Sequence, residues 1–472
     1  MSSDLFAAYE VHAPGRKTNI PAFFIESTAP DNLDEKDGAT LETPQYCVKL
    51  DSVDAAVDRI AERLVQEAHP KLVITVHGFN SPRPAVLKNL TRSFLTVNDD
   101  EAIHGHGVVC MGYRWPSEHM FWPWKSGVAA APSFLIGVLA VALIAFYLVN
   151  FVFDICGFSW FVRTLLTGTT AFAAVVPLTL FGLRLIVYFR DQYRATTYGV
   201  PDLVDVIRLI DAALAAKFEN TGQPGKRADL SFIGHSMGGF VVTNTVRVVS
   251  DVFSPAAPGP KTQAVGVTAS PEDERSKIGK ALLLRRLLLV SPDIPAEVLM
   301  SGRANALQSS VARFQEAHLF SNEADEVLHD ISTTANFFAL PTKRRAFGYR
   351  MGNVGVLTPW GITKGLTCPQ GQAALDKLRV GDKTLQQLYE KLGSDQFQAE
   401  TVKCFTYFDC TDCVEDGKAV LSGAGPGKPA DLTMWGHLMN LVSYTTVGPD
   451  VHSGYFVSAT LGRLIYRFAC IG

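Results

Sequence analysis

A glycine-flanked serine is the residue whose surroundings point most directly to chemistry. The segment G-H-S-M-G at positions 234–238 fits the pattern G-x-S-x-G, follows a short apolar stretch and opens a segment of helical spacing. A sharp turn between a strand and a helix exposes such a serine at the carboxyl edge of a sheet, and small neighbours leave room for it. Ser236 is therefore the candidate nucleophile.

A histidine near the end of the sequence is the candidate base. A serine hydroxyl is a weak nucleophile and needs a neighbouring base, which in one of the known chain orders follows both the nucleophile and the acid. Two of the eleven histidines, His437 and His452, lie late enough. The turn-rich segment P-D-V-H-S-G-Y-F at 449–456 precedes a terminal helix and favours His452. His437 is the alternative.

Three carboxylates are candidates for the acid that orients the base. Such an acid fixes the tautomer of the histidine and stabilises the imidazolium. Asp293 follows the first strand after the nucleophile, and Glu323 and Asp325 follow the second. Asp325 ranks first, Asp293 second and Glu323 third. Asp325 could also be an acid in the first turn of its own helix.

Two backbone N–H groups are candidates for holding an oxyanion. The group on Met237, directly after the nucleophile, is one. The second should follow an earlier strand, and H-G-F-N at 77–80 ends such a strand. Gly78 permits a tight turn that directs the N–H of Phe79 inward. Phe79 and Met237 are therefore the predicted oxyanion hole, and one such donor is typically worth about 3–4 kcal/mol of barrier.

The order of these motifs resembles the α/β-hydrolase superfamily. The chain carries H-G-F-N, then Y-R-W-P-S-E at 113–118, then G-H-S-M-G-G, a late Asp and H-S-G-Y-F at 452–456. It is similar to bacterial serine hydrolases with an HGFN turn and a WPS segment, and to lipases and esterases more broadly. The resemblance covers 71–115 and 201 to the end, implies a Ser-His-Asp acyl-enzyme mechanism without cofactor or metal, and favours Asp325 because that strand end is the commoner acid position.

The elements that must position these residues alternate along the chain. Short apolar, β-branched stretches are separated by segments of helical spacing, which predicts an α/β fold with a mostly parallel sheet flanked by helices. Strands are predicted at 71–79, 107–115, 229–234, 284–291, 317–321 and 402–409. Helices are predicted at 84–96, 201–218, 237–250 and 325–337.

Two uncharged runs interrupt this alternation. Hydrophobic residues make up 47% of the chain, charged residues 19%, and the mean hydropathy is +0.13. Much of that surplus lies in 126–153 and 164–183, which contain no charged residue. About 20 residues suffice to cross the hydrocarbon layer as a helix. The pattern predicts a transmembrane helical hairpin with spans at 133–153 and 164–186, and a hairpin dipping into one leaflet is the alternative.

The flanks of the hairpin predict its orientation. Trp122 and Trp124 precede the first span and Tyr188 follows the second, as is typical of membrane interfaces. Basic residues lie on the outer flanks, with Arg163 alone in the connector; these flanking residues are Lys125, Arg184, Arg190 and Arg194. The positive-inside rule then places both flanking regions, and with them the catalytic domain, on the cytoplasmic side.

The hairpin divides the chain into parts. We expect an N-terminal part of the hydrolase domain at 1–125, the inserted hairpin at 126–190 and the C-terminal part at 191–472. Within the last part, 253–280 reads as a loop insertion because it is rich in Pro, Gly, Ser and charge, and 340–398 reads as a cap. The N-terminus carries no apolar run of secretory-signal type.

Charge and cysteine content exclude several classes of partner. With 43 Lys and Arg against 46 Asp and Glu, and no basic cluster, nucleic acid is not expected. Eight scattered cysteines favour free thiols in a reducing compartment, and C-x-x-C at 410–413 lacks the second ligand pair of a structural zinc site.

The sequence thus predicts a membrane-anchored serine hydrolase acting on lipid-derived esters, with the bilayer and an ester as its partners. A homo-oligomer stays open. The alternatives are a catalytically silent hydrolase-fold membrane scaffold and, among enzymes, a thioesterase or a secreted antibacterial lipase toxin.

Overall fold

The structure is a computed structural model that describes part of the chain. It covers residues 5–12, 15, 17–30, 43–79, 81–117, 147–148, 151–152, 155–157, 159–161, 164–165, 167–168, 185–249, 276–295, 310–311, 313–325, 327–333, 335, 350–353, 366–367, 405–411, 413–415, 418–421 and 451–471. Most of the predicted spans 133–153 and 164–186, the loop 253–280 and the cap 340–398 lie outside these residues. Across the described part, no helix is long and apolar enough to cross a membrane.

Thirteen strands and five α-helices are defined within the described residues. The strands are β1 (Phe6–Val11), β2 (Ala22–Ser27), β3 (Cys47–Lys49), β4 (Lys71–Val76), β5 (Val108–Arg114), β6 (Ala228–His235), β7 (Lys277–Ile278), β8 (Leu282–Val290), β9 (Glu316–Ser321), β10 (Leu366–Thr367), β11 (Phe405–Asp409), β12 (Val414–Glu415) and β13 (Lys418–Ala419). The α-helices are α1 (Val53–Val65), α2 (Arg83–Asn98), α3 (Val200–Asn220), α4 (Met237–Val249) and α5 (Ala459–Cys470). Short π-helical turns occupy Ala195–Gly199 and Val327–Ser332, and 3-10 turns occupy Met351–Asn353 and Gly454–Phe456.

One large mixed sheet forms the centre of the described fold. Its strand order is β10-β11-β9-β8-β6-β4-β5-β2-β1-β3, and β7 pairs with β8. Neighbouring strands are parallel from β10 to β2, whereas the pairs β1–β2, β1–β3 and β7–β8 are antiparallel. The prediction of an α/β fold with a mostly parallel sheet flanked by helices is confirmed.

Helices cover both faces of the sheet. Helices α1, α3 and α4 pack on one face, while α2 and α5 pack on the other. Strand β4 shows why both faces are needed: all six of its residues are buried, with Ile74 in one core and its neighbour Val73 in the other. Because successive strand side chains point to opposite faces, a continuous apolar run indicates a strand covered on both sides.

The order in which the chain adds strands to the sheet reverses between the neighbouring strands β4 and β6. From β4 the chain continues to β5 on one side, and from β6 it continues to β8 on the other. A crevice forms at the carboxyl ends of two such strands, and open α/β sheets bind ligands there. The turn after β4 begins at His77 and the turn after β6 carries Ser236, so both predicted motifs meet at this point.

The strands and the helix before residue 71 were not predicted. Strands β1 to β3 and helix α1 extend the sheet beyond β5. Helix α1 has recognisable signals, because Ser52 caps it by accepting the N–H of Ala55 at 3.1 Å and its apolar residues recur at helical spacing. The helix predicted at 325–337 is also partly wrong, since Val327–Ser332 forms a π-helical turn.

Cysteine pairing differs from the expectation in one place. Five of the described cysteines are free thiols, namely Cys47, Cys110, Cys156, Cys410 and Cys470. Cys413, however, is disulfide-bonded. The prediction of free thiols is therefore confirmed at those five positions and wrong at Cys413.

A buried carboxylate joins three strands to the start of α2. Glu26, at the end of β2, is fully buried and accepts two hydrogen bonds from Arg83, at 2.9 Å from Nε and 2.7 Å from Nη2. Arg114 of β5 lies 3.8 Å away, and the hydroxyl of Tyr9 in β1 accepts a further bond from Arg83. Since Arg83 begins α2, this cluster fixes the helix that follows the H-G-F-N turn.

Replacing the buried carboxylate should destabilise the fold. Glu26→Gln leaves the Arg83 and Arg114 charges without their carboxylate, and we expect the free energy of unfolding to fall by about 3 kcal/mol in urea titrations. The control is Glu10→Gln, whose partner Arg59 is half exposed and whose loss should cost less than about 1 kcal/mol. Equal losses in the two variants would contradict a structural role for the Glu26 cluster.

Candidate active site

Ser236 lies in a strained turn between β6 and α4. Its φ of 53° is left-handed, a conformation that is costly for a residue with a Cβ and concentrates at functional sites. Three backbone hydrogen bonds hold the turn: the N–H of Ser236 donates to Val290 O at 3.0 Å, and Gly239 and Asp293 donate to Ser236 O at 3.0 and 3.1 Å. The Ser236 side chain is buried, and its Oγ has no hydrogen-bond partner among the described residues.

Two glycines let the turn after β4 pack directly on this serine. A methyl group on Gly78 would lie 2.7 Å from Ser236 Cβ, and one on Gly238 would lie 2.4 Å from the carbonyl oxygen of Val76. Both distances are far below van der Waals contact, so neither position can carry a side chain without moving backbone. The glycines thus bring the predicted oxyanion turn and the predicted nucleophile together.

His77 holds the oxyanion turn as a neutral imidazole. Burial, reinforced by the charge of Arg114, lowers its pKa to about 3. Its Nδ1 lies 2.7 Å from Gly78 O and its Nε2 lies 3.3 Å from the N–H of Trp115. Nε2 also lies 3.1 Å from Trp115 O. Hydrogen on Nδ1 donates to Gly78 O and leaves Nε2 to accept the Trp115 N–H, whereas hydrogen on Nε2 would instead donate to Trp115 O. The indole of Trp115 stacks on the imidazole at 5.1 Å and donates to His77 O.

The W-P-S segment also fixes the far side of the turn. Ser117 Oγ accepts the N–H of Ser81 at 3.0 Å and donates to Asp191 at 2.9 Å. Asp191 in turn pairs with Arg194. Trp115 and Ser117 therefore bind the turn on both sides of Phe79, at His77 and at Ser81. The W-P-S motif thus holds the turn after β4 in place.

Phe79 and Met237, the predicted oxyanion donors, lie in the two turns that meet at Ser236. Met237 begins α4, and the first N–H groups of a helix have no acceptor within the helix. Phe79 is buried beside the elbow, and its ring lies edge-on to that of His452, with centroids 6.3 Å apart.

Asp325 and His452 form a buried pair although 127 positions separate them. His452 Nδ1 lies 2.7 Å from Asp325 Oδ2, and both residues are buried. Oδ2 also accepts from Ser291 Oγ at 2.5 Å, and Oδ1 accepts the N–H of Leu328 at 3.1 Å. With hydrogen on Nδ1, His452 Nε2 carries the lone pair that a general base requires.

His235 contacts the same histidine from inside the elbow. Its Nε2 lies 2.9 Å from the carbonyl oxygen of His452, and the two ring centroids are 5.0 Å apart. The residue before the nucleophile thus faces the segment that carries the candidate base. Ser236, His452 and Asp325 therefore lie in one cluster, although no direct hydrogen bond joins Ser236 Oγ to the described side chains. Catalytic hydrogen bonds of substrate-free enzymes are often long and tighten on binding.

The alternative acid has a different partner. Asp293 Oδ1 lies 2.9 Å from Arg350 Nε, and Oδ2 accepts from Ser332 at 3.2 Å. Arg350 also donates to the hydroxyl of Tyr188. Asp293 is thus engaged in a buried ion pair, whereas Asp325 contacts the histidine. Glu323 accompanies Asp325 on the same loop, where its N–H donates to Thr411, and His437 lies outside the described residues.

Three residues around the site were not predicted to contribute to it. Ser291, His235 and Tyr188 contact the pair, its loop or its neighbours only because distant segments converge. A signal existed for Ser291, which follows β8 in the position that Ser236 occupies after β6. Within the described ranges, no group of three or more His, Cys, Asp or Glu side chains is placed to hold a metal ion.

Comparison with protein-family models, curated proteins and solved structures found no match to this chain. What the clustered residues do is therefore inferred from their chemistry and their positions.

Strain at the elbow can be measured without any substrate. Ser236→Gly relieves the left-handed backbone and sacrifices no hydrogen bond of Oγ, so we expect it to be about 1 kcal/mol more stable than Ser236→Ala in urea unfolding. The control is Ala212→Gly at an exposed position of α3, where glycine should cost about 1 kcal/mol. A Ser236→Gly variant no more stable than Ser236→Ala would contradict the strained turn.

Proposed function

We propose that the protein is a membrane-anchored serine hydrolase of the α/β-hydrolase type that cleaves acyl esters of lipid origin. The observation that carries the proposal is the 2.7 Å pair of Asp325 and His452 beside a serine with left-handed backbone at a strand–helix turn. A buried carboxylate on Nδ1, a nucleophile at a sharp turn and two backbone donors are the parts that acyl transfer requires. Their chain order, Ser then Asp then His, is that of α/β-hydrolases.

In this mechanism Ser236 attacks the acyl carbonyl. His452 Nε2 accepts the hydroxyl proton while Asp325 stabilises the imidazolium that forms. The N–H groups of Phe79 and Met237 hold the oxyanion, and His452 returns the proton to the leaving alcohol. Water then attacks the acyl-enzyme with His452 again as base, which releases the carboxylic acid and restores Ser236.

Exposed apolar side chains support a membrane anchor. Eight large apolar residues in the described fragments of 147–165 are more than half exposed: Tyr147, Leu148, Phe151, Val152, Ile155, Trp160, Phe161 and Leu165. Exposed large apolar side chains grouped in this way mark contact with a membrane or a protein. Five of them lie within the two uncharged runs, which favours the bilayer, and Ile155, Trp160 and Phe161 lie in the short connector between the runs.

The end of the proposed hairpin adjoins the site. Tyr188, two residues beyond the second span, is buried, and its ring meets that of Phe79 edge-on with centroids 5.6 Å apart. Phe79 in turn contacts His452. A substrate entering beside the hairpin would leave the bilayer next to the nucleophile, which favours phospholipids, lysophospholipids or acylglycerols as substrates.

The proposed side of the membrane rests on the distribution of basic residues around the hairpin. Basic residues on the outer flanks favour a cytoplasmic hydrolase domain, and the disulfide at Cys413 is the opposing observation, since disulfides are rare in the cytosol. We propose the cytoplasmic side. Protease protection of the domain in intact, right-side-out cells or vesicles is the expected outcome, and digestion from outside would reverse the assignment.

The nucleophile can be tested with a fluorophosphonate probe. We expect labelling of the wild type that is lost in Ser236→Ala, and His452→Ala and Asp325→Asn should each lower kcat on a lipid ester by about 10⁴-fold. Asp293→Asn is the matched control: it strips Arg350 of its carboxylate and lowers stability, but its folded fraction should retain kcat within about 10-fold. Labelling that persists in Ser236→Ala would refute this nucleophile, and an unlabelled wild type would favour the silent scaffold.

The anchor can be tested by extraction. We expect the full chain to stay with the membrane in alkaline carbonate and to require detergent for release, because two apolar spans bury far more surface than a peripheral contact. Release by carbonate or high salt would refute integral insertion. Ser236→Ala serves as the control, since it should alter labelling and leave extraction unchanged.

A further inference from the structure

Ser291 is a second serine held in left-handed backbone at the carboxyl edge of the sheet. Its φ is 43°, it is fully buried, and it directly follows β8, the strand beside the one that ends at the elbow. Only Tyr46 and Ser236 share positive φ with it among the described residues other than glycine. Local backbone preferences do not favour two serines with left-handed backbone at the ends of adjacent strands.

The surroundings force this conformation. The N–H of Ser291 donates to Phe320 O at 2.8 Å, and a methyl group on Gly352 would lie 2.4 Å from the Ser291 carbonyl carbon. The backbone of residues 350–353 is therefore pressed against the turn. The strained backbone directs the Ser291 hydroxyl toward Asp325. Ser291 Oγ lies 2.5 Å from Asp325 Oδ2.

That oxygen is the one that also accepts from His452. Asp325 Oδ2 receives Ser291 Oγ and His452 Nδ1, while Oδ1 receives the N–H of Leu328. The carboxylate is therefore held by a donor on β8's end and a donor on its own loop, independently of the histidine. Its position is fixed before His452 takes up a proton.

We propose that Ser291 is a positioning residue that orients Asp325 and weakens the electrostatic attraction between Asp325 and protonated His452. The proposal rests on the hydrolase mechanism proposed above and adds a fourth side chain to it. Two donors on one carboxylate oxygen compete for its charge. Removal of the hydroxyl therefore concentrates that charge on the His452 Nδ1–H bond and stabilises the imidazolium.

The sign of this effect distinguishes positioning from packing. In Ser291→Ala and Ser291→Gly the acidic limb of kcat/KM should move to higher pH by about 0.5–1 unit, and kcat at its plateau should fall about 10-fold as the carboxylate loses its orientation. Glycine accepts the left-handed backbone and alanine does not. A shift common to both variants therefore reports the lost hydroxyl and not relief of strain.

A second measurement is independent of turnover. Histidine-selective ¹⁵N labelling of the full chain in detergent gives the titration of His452, identified by the signal lost in His452→Gln. The ionisable groups beside the pair are unchanged in the Ser291 variants: His235 faces His452, and Tyr455 faces Asp325 with Cys410 and Asp409 near it. We expect the His452 midpoint to rise in both Ser291 variants by the same amount as the kinetic limb.

Ser231→Ala provides the matched control, since it removes the hydroxyl of another buried serine, in the middle of β6 and away from the pair. It should leave the midpoint within about 0.2 unit of wild type. A His452 midpoint that stays constant or falls in both Ser291 variants would overturn the proposal, even if both are unstable. A raised midpoint without Ser236-dependent hydrolysis would support the positioning role and refute the hydrolase function.

Discussion

The close approach of two backbone turns is the constraint on which the site depends. The turn after β4 and the turn after β6 touch at Gly78 and Gly238, where a single methyl group would overlap the backbone or the side chain of Ser236. Strained, left-handed backbone at Ser236 is the cost of this arrangement. In return, the buried hydroxyl of Ser236 lies where the two turns meet, at the point where the strand order reverses.

Contacts from beyond the two turns keep them in place. The neutral imidazole of His77 joins the H-G-F-N turn to Trp115, and Ser117 carries that attachment on to Asp191. The buried Glu26 fixes the start of α2 immediately downstream. A site built from backbone N–H groups requires such support, because those groups cannot adjust by rotating a side chain and their aim is set by the chain around them.

The carboxyl edge of the sheet carries two carboxylates with different partners. Asp325 contacts His452, and Asp293 is neutralised by Arg350, which also reaches Tyr188 at the end of the proposed hairpin. Burial and the nearby Asp293 raise the pKa of Tyr188 well above its usual value, so it packs as a neutral side chain against Phe79. Tyr188, at the end of the proposed hairpin, and the turn after β4 thus share one packed cluster.

The local sequence pattern predicted the central sheet and the two turns that meet at Ser236. Apolar runs such as Lys71–Val76 indicate strands buried on both faces, and their alternation with helical spacing predicts the mostly parallel sheet. The glycine spacing around Ser236 and after His77 predicts the two turns, because close backbone packing imposes requirements that a short segment must satisfy by itself. The N-terminal strands escaped prediction because they are short and join the sheet one beyond the other, with β2 on β5, β1 on β2 and β3 on β1.

Only the tertiary structure determined which side chain each carboxylate contacts. Asp293 and Asp325 follow neighbouring strands and look alike in sequence, and what separates them is that Arg350 reaches one and His452 reaches the other. Ser291 has no motif of its own, and its contact with Asp325 exists because β8 and β9 lie side by side. A hydrogen bond between residues far apart in the chain depends on how the strands are ordered, which no local pattern records.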